Sequence, residues 1–88
     1  MNISVELSMY PLQDGYKDKI KDFLQHLNNN NQNCEILTSN MSTRIFGSFD
    51  DVNDLLSHSM KYAMQEHGKL VFVCKYLSGD ARELSGYS

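Results

Sequence analysis

The segment ISVELSMYP, residues 3–11, decides the fold because its side chains alternate between two kinds. One set is apolar and the other is polar or aromatic: Ile3, Val5, Leu7 and Met9 against Ser4, Glu6, Ser8 and Tyr10. A period of two is typical of a strand with one buried face. Pro11 has no backbone N–H, so we expect the strand's hydrogen bonding to stop there, with Tyr10 at its rim.

The next segment changes to a helical period. Four apolar residues recur at helical spacing: Ile20, Phe23, Leu24 and Leu27. Most of the residues between them are charged, so the pattern predicts an amphipathic helix from Tyr16, with Asp14 as its N-terminal cap. The tract NNNNQN, residues 28–33, consists of poor helix formers and is interpreted as a solvated loop.

A hairpin is predicted in the middle of the chain. Residues 34–48, CEILTSNMSTRIFGS, are rich in β-branched side chains, which favour strands. Asn40 and Met41 lie at the centre of this segment, where a turn would fold it back on itself. Two short strands are therefore expected here.

A second helix and a fourth strand complete the pattern. Ser48 and Asp51 resemble a helix capping box, and Gly68 is a suitable C-terminal stop, so a helix is expected between them. Residues 69–77, KLVFVCKYL, follow directly and predict a strand that is apolar on both faces.

The order strand, helix, strand, strand, helix, strand defines the fold class. With right-handed crossovers it predicts an α+β, ferredoxin-like βαββαβ sandwich, in which a four-stranded antiparallel sheet carries two helices on one face. With 88 residues, there is room for one small core. We expect a single domain over residues 1–80 and a flexible C-terminal tail over residues 81–88, where no period is sustained.

Composition and charge exclude several classes of function. The apolar fraction of 41 % and charged fraction of 22 % are those of a globular protein. A formal charge of −3 with scattered basic residues argues against a nucleic-acid partner. Cys34 and Cys74 have neither metal-site nor disulfide-scaffold spacing and are interpreted as reduced, small apolar residues. With neither a signal-peptide pattern nor a membrane-length apolar stretch, we expect a cytoplasmic protein without a membrane partner.

The sheet face away from the helices is the first candidate for function. The alternation assigns it both polar and apolar residues, among them Glu6, Tyr10, Leu37, Arg44 and Phe46. Such a face is too apolar to stay in water, and a second copy of the same sheet is the economical cover. Two sheets that diverge leave a cleft lined by hydroxyls and aromatic rings.

Catalysis and metal binding have little support in the sequence. Nucleophile-elbow and phosphate-loop motifs are absent, and the three histidines, His26, His58 and His67, show no metal-ligand spacing. We therefore expect no enzyme activity, no cofactor and no metal. One enzymatic alternative stays open, in which Glu6, Arg44 and Tyr10 move a proton in a small cleft.

Three motifs together resemble the YkoF family of thiamin and hydroxymethylpyrimidine binding proteins. They are SMYP at residues 8–11, the hydroxyl-rich TSNMSTRIFGS at residues 38–48, and the acidic helix start FDDV at residues 49–52. The resemblance implies a ferredoxin-like domain and a non-catalytic role in vitamin B1 salvage, delivery or sensing. It also implies assembly of single domains as a homodimer or dimer of dimers through their sheets.

Seven residues are predicted to bind the ligand at the sheet face of this homo-oligomer. Tyr10 and Phe46 supply aromatic walls, and five side chains supply hydrogen bonds: Ser8, Thr38, Asn40, Ser42 and Thr43. Other interpretations stay open for several of them.

Tyr10 could be only an aromatic residue of an edge or interface, and Asn40 only a turn former. Thr38 and Thr43 could instead point to the helix side of the sheet. The alternative function is a structural or regulatory oligomerisation module with no small-molecule ligand.

Overall fold

Four antiparallel strands and two helices form the fold in the order that the sequence predicts. The computed structural model describes residues 1–39 and 42–83. The elements are β1 (Asn2–Pro11), α1 (Tyr16–Asn29), β2 (Glu35–Thr38), β3 (Thr43–Ser48), α2 (Phe49–His67) and β4 (Leu70–Ser78). The strand order across the sheet is β2-β3-β1-β4, and each neighbouring pair is antiparallel. The predicted βαββαβ sandwich is therefore confirmed.

The core lies between one face of the sheet and the two helices. Ile3, Val5 and Leu7 of β1 are almost fully buried. They pack in one cluster with residues of both helices and of β3, namely Phe23, Leu27, Ile45, Val52, Leu55, Leu56 and Ala63. Because each large apolar side chain contributes about 1.5–3 kcal/mol on full burial, this cluster is the main source of stability.

The ends of the helices show which capping predictions hold. The Ser48 side chain accepts a hydrogen bond from the Asp51 N–H at 3.1 Å, so Ser48 caps α2 as predicted. Gly68, at a φ of 80°, ends α2 as predicted. The prediction for α1 is wrong: Gly15, also at a φ of 80°, takes the N-cap position instead of Asp14 and provides no side-chain hydrogen bond.

Pro11 lies inside β1, contrary to the prediction that it ends the ladder. It pairs with Leu70, and the Leu12 N–H still donates to the Lys69 carbonyl at 3.2 Å. Since successive residues of a strand direct their backbone groups to opposite edges, the N–H that Pro11 lacks would have pointed away from β4. The proline therefore costs β1 no bond to β4.

β1 extends further along β4 than along β3. Its register with β3 ends where Leu7 faces Thr43, whereas its register with β4 continues to Pro11. Residues 8–11 therefore project past the start of β3, beside the end of the hairpin. This offset positions the candidate site.

The sheet face opposite the helices, called the open face below, consists of cross-strand rows. The register gives four of them: Leu77, Ser4, Phe46 and Glu35; then Lys75, Glu6, Arg44 and Leu37; then Val73 and Ser8; then Val71 and Tyr10. Exposed apolar residues recur through these rows, at Tyr10, Leu37, Val71, Val73 and Leu77. The predicted composition of this face is confirmed, including the neighbours Glu6 and Arg44.

The chain after β4 folds back onto the open face. Ala81–Glu83 form a 3-10 turn, and the side chain of Ala81 is fully buried. A flexible tail was predicted from residue 81, and its flexibility stays a prediction; in the structure, Ala81 and Arg82 contact the open face. Residues 84–88 lie outside the described residues. In the described ranges, no helix is long and apolar enough to cross a bilayer.

Candidate functional site

A pocket of about 340 Å³ lies where residues 8–11 of β1 project past β3, and we call it the hairpin pocket. Its wall on the helix side comes from the N-terminal half of α1. Its other walls come from β1 and from both strands of the hairpin. The full lining is Leu7, Ser8, Met9, Tyr10, Pro11, Tyr16, Ile20, Phe23, Leu24, Thr38, Ser39, Ser42 and Thr43.

The helix wall of the hairpin pocket is apolar and aromatic. Ile20, Phe23 and Leu24 belong to the apolar stripe of α1, and Tyr16 is its first residue. The ring of Phe23 also packs against the ring of Phe72 on β4, with the two ring centroids 5.1 Å apart. A wall of this kind suits a flat ring that gains from burial and from contact with aromatic groups.

Hydroxyl groups gather on the hairpin side of the pocket. The Oγ1 atoms of Thr38 and Thr43 lie 3.4 Å apart. The Ser39 hydroxyl donates to the Ser42 carbonyl at 3.1 Å, and the Ser42 hydroxyl donates to Glu6 Oε2 at 3.3 Å. Because a hydroxyl both donates and accepts, these groups can pair with a ligand that presents either kind of atom.

Five of the seven sequence-predicted site residues line the hairpin pocket: Ser8, Tyr10, Thr38, Ser42 and Thr43. A sixth, Asn40, lies outside the described residues. That the five bind a ligand stays a prediction.

The hairpin pocket is a different cavity from the predicted cleft between two copies. Thr38 and Thr43 occupy register positions on the helix side of the sheet, because Thr43 pairs with the core residue Leu7 and Thr38 pairs with Thr43. The site was expected on the open face between two copies. The hairpin pocket lies within one chain and is bounded on the helix side by α1. It reaches the open face at Ser8, Tyr10 and Ser42, whose hydroxyl bonds to the open-face residue Glu6.

Phe46 has the open-face register position that was predicted, but its ring is covered. It is only 2 % exposed, and the Arg82 guanidinium lies 4.5 Å above its ring. A ring covered in this way is not available as a wall for a ligand. Phe46 therefore does not line the hairpin pocket, because the chain after β4 covers the position that alternation had assigned to solvent, and its role as a site residue stays a prediction.

A polar cluster between the helices, called the helix seam below, was missed in the sequence. His67 Nε2 of α2 lies 2.7 Å from Asp22 Oδ2 of α1, and the Tyr62 hydroxyl donates to the same oxygen at 2.9 Å. The rings of His26 and Tyr62 are stacked with centroids 4.1 Å apart. The partners are 40 and 45 residues apart in sequence, so only the crossing of the helices brings them together.

One contact of the helix seam resembles a catalytic pair but is closed to substrates. His26 Nδ1 lies 3.3 Å from Ser59 Oγ, an arrangement that elsewhere activates a nucleophile. Ser59, a residue of α2, is fully buried, so a substrate has no access to its hydroxyl. Among residues 1–39 and 42–83, no three histidine, cysteine or acidic groups are placed to hold a metal ion.

The hydrogen bond from His67 lowers the pKa of Asp22 below its usual 3.8, and the bond from Tyr62 adds to this. The Asp22 bond in turn raises the pKa of Tyr62. The helix seam therefore favours an ionised Asp22, and it ties the end of α2 to the helix that forms one wall of the hairpin pocket.

Comparison with known proteins gives a family and a fold. The family model described as YKOF-related Family matches residues 2–81. No curated protein matches the chain. The solved structure of protein SP2199 from Streptococcus pneumoniae is similar over 96 % of this chain and 93 % of that one, with 22 % identity and a TM-score of 0.82.

Two further structures share the fold at lower identity. A candidate thiamine biosynthesis/salvage protein from Thermotoga maritima, TM0486, is 13 % identical, with a TM-score of 0.74 over 86 % of this chain and 82 % of that one. A domain of unknown function, DUF77, from Bacillus cereus is 11 % identical, with a TM-score of 0.75 over 100 % of this chain and 91 % of that one.

Asp22→Asn tests the helix seam. At neutral pH the variant should unfold at a lower temperature than the wild type, because asparagine keeps the shape but loses the charge. The stabilisation from ionised Asp22 is complete above pH 3.8, the pKa of a free aspartate. It is lost as the pH falls through the lower pKa that Asp22 has in the folded state. The gap between the two unfolding midpoints, measured by circular dichroism, should therefore close in acid.

The matched control is Asp54→Asn, which alters an exposed acid on α2. It should leave the midpoint almost unchanged across the same range of pH. A gap between wild type and Asp22→Asn that stays constant into acid would contradict the charged role of Asp22.

Proposed function

The chain belongs to the YKOF-related family, and on that premise we propose that it is a non-catalytic binding protein for thiamin or its hydroxymethylpyrimidine moiety. The observation that carries the proposal is the hairpin pocket, which gathers Ser8, Tyr10, Thr38, Ser42 and Thr43 beside an aromatic and aliphatic wall. The Thermotoga maritima protein of the same fold, whose name refers to thiamine biosynthesis or salvage, supports this ligand class.

The ligand and the hairpin pocket match in size and chemistry. An aminopyrimidine is a flat ring with acceptor nitrogens and an amine donor, so it needs aromatic contact and groups that both donate and accept. The pocket volume of about 340 Å³ lies at the small end of ligand sites, which suits one such ring better than a large cofactor. Hydrogen bonds that net about 1 kcal/mol each, together with ring burial, correspond to affinity in the micromolar range.

The geometry gives little support to the enzymatic alternative. Glu6 and Tyr10 are four residues apart on one extended strand, a separation of about 13 Å. A single transferred proton cannot reach both side chains. Glu6 is also engaged by the Ser42 hydroxyl at 3.3 Å and by Lys75 Nζ at 3.6 Å. A role in vitamin salvage, delivery or sensing in the cytoplasm therefore fits better than turnover.

Isothermal titration tests the ligand. Hydroxymethylpyrimidine or thiamin should give saturable heat with the wild-type chain. Tyr10→Ala should weaken binding about tenfold, because it removes the exposed ring at the rim of the pocket. Thr43→Val, which deletes a hydroxyl and keeps the shape, should weaken it by a similar factor.

The control for the titration is Phe49→Ala, since Phe49 is similarly exposed but lies at the start of α2, outside the hairpin pocket. Its affinity should equal that of the wild type. Saturable heat with neither compound would contradict the proposed ligand and favour an oligomerisation module without one.

We further propose that two copies pair through the open face, as a homodimer or as part of a dimer of dimers. The exposed apolar residues there are accompanied by a row in which Glu6 stands between Lys75 and Arg44. Under two-fold symmetry, such a row can place each Glu6 against a basic residue of the other copy. Apolar contact and opposite charges would then come from one self-complementary surface.

Val73→Asp tests the pairing. Val73 is 46 % exposed on the open face, and Met64 on α2 is 48 % exposed on the other side of the molecule. In sedimentation velocity the wild type should sediment as a dimer or tetramer, and Val73→Asp should shift it toward the single chain. Met64→Asp, the matched control, should not. A monomeric wild type at high micromolar concentration would contradict the pairing.

A further inference from the structure

The chain leaving β4 crosses the open face from one edge of the sheet to the other, and we call residues 79–82 the strap. It starts beside β4, passes β1 at Ser4 and β3 at Phe46, and reaches Glu35 on the opposite edge strand β2. The strap thus lies over one cross-strand row and leaves the rows of Glu6, Ser8 and Tyr10 open.

The first half of the strap is held by hydrogen bonds to β1. The Gly79 N–H donates to the Asn2 carbonyl at 2.8 Å. The Ser4 hydroxyl donates to the Gly79 carbonyl at 2.9 Å and accepts from the Ala81 N–H at 2.7 Å. Ser4 is 2 % exposed, so this buried hydroxyl both donates to the strap and accepts from it.

Arg82 holds the second half of the strap. Its guanidinium covers the Phe46 ring at 4.5 Å and forms ion pairs with Glu35 and with Asp80, the latter at 2.6 Å. Its Nε–H also donates to Asp80 Oδ1 at 2.9 Å. One side chain therefore joins β2, β3 and the strap, and it covers an aromatic ring that would otherwise extend the apolar part of the open face.

We infer that the strap is a stop, latched by Arg82, that closes one end of the open face. The inference rests on the proposed pairing of two copies, because the strap would mark where the interface between them ends. With the strap closed, a second copy can dock only on the rows from Lys75 to Tyr10. With the strap released, Phe46 and Ser4 join the docking surface, and the interface loses its defined end.

Hydrogen exchange of the Ala81 amide measures the latch directly, because that N–H donates to the buried Ser4 hydroxyl. In the wild type the amide should be protected. Arg82→Ala removes the ring contact and two ion pairs, and it should speed Ala81 exchange about tenfold or more. Arg82→Lys, which keeps the charge but not the planar fork, should give an intermediate rate.

The matched control is Lys61→Ala, which removes an exposed positive charge from α2 and should leave Ala81 exchange unchanged. In sedimentation velocity, Arg82→Ala should form larger species than the wild type, because Phe46 is uncovered. Unchanged protection of Ala81 in Arg82→Ala would overturn the latch. Faster exchange with unchanged assembly would overturn the role as a stop, whereas a monomeric wild type would overturn the pairing on which it rests.

Discussion

The βαββαβ order with right-handed crossovers places both helices on one face of the four-stranded sheet, and this constraint determines which surfaces are left for binding. On the covered face the apolar residues of β1 and β3 meet both helices and form the core. On the other face, residues 79–82 are the cover that the described part of the chain provides. They lie over one row, and apolar and charged residues are exposed on the remaining rows.

The second determinant is the unequal length of neighbouring strands. β3 begins opposite Leu7, but β1 continues to Pro11 along β4. A proline is tolerated there because the N–H that it lacks would point to the side of β1 where β3 has ended its pairing, so no strand bond is lost. The hairpin pocket lies in this offset, with hydroxyls from the hairpin on one side and the apolar stripe of α1 on the other. A small shift in the start of β3 would pair Ser8 and close the offset.

Patterns of short range were predicted well from the sequence, and contacts of long range were not. Alternation in residues 3–11 identified the buried face of β1, and Ser48 and Gly68 marked the ends of α2 because capping depends on neighbours within one turn. The effect of Pro11 could not be predicted, since it depends on which edge of β1 is paired. The strap and the helix seam bring together residues that are far apart in sequence, such as Arg82 with Glu35 and His67 with Asp22. Of the site residues, Thr38 and Thr43 were predicted by type; the sequence left open which side of the sheet they face, and the register places them on the helix side.

Whether the offset between β1 and β3 binds a small aminopyrimidine is tested most directly by a map of amide chemical shifts on titration with hydroxymethylpyrimidine. Saturable shifts are expected at Ser8 to Tyr10, at Ser42 and Thr43, and at Tyr16 and Ile20 on α1. Shifts concentrated instead under the strap at Ser4 and Phe46, or none at a large excess of ligand, would contradict it.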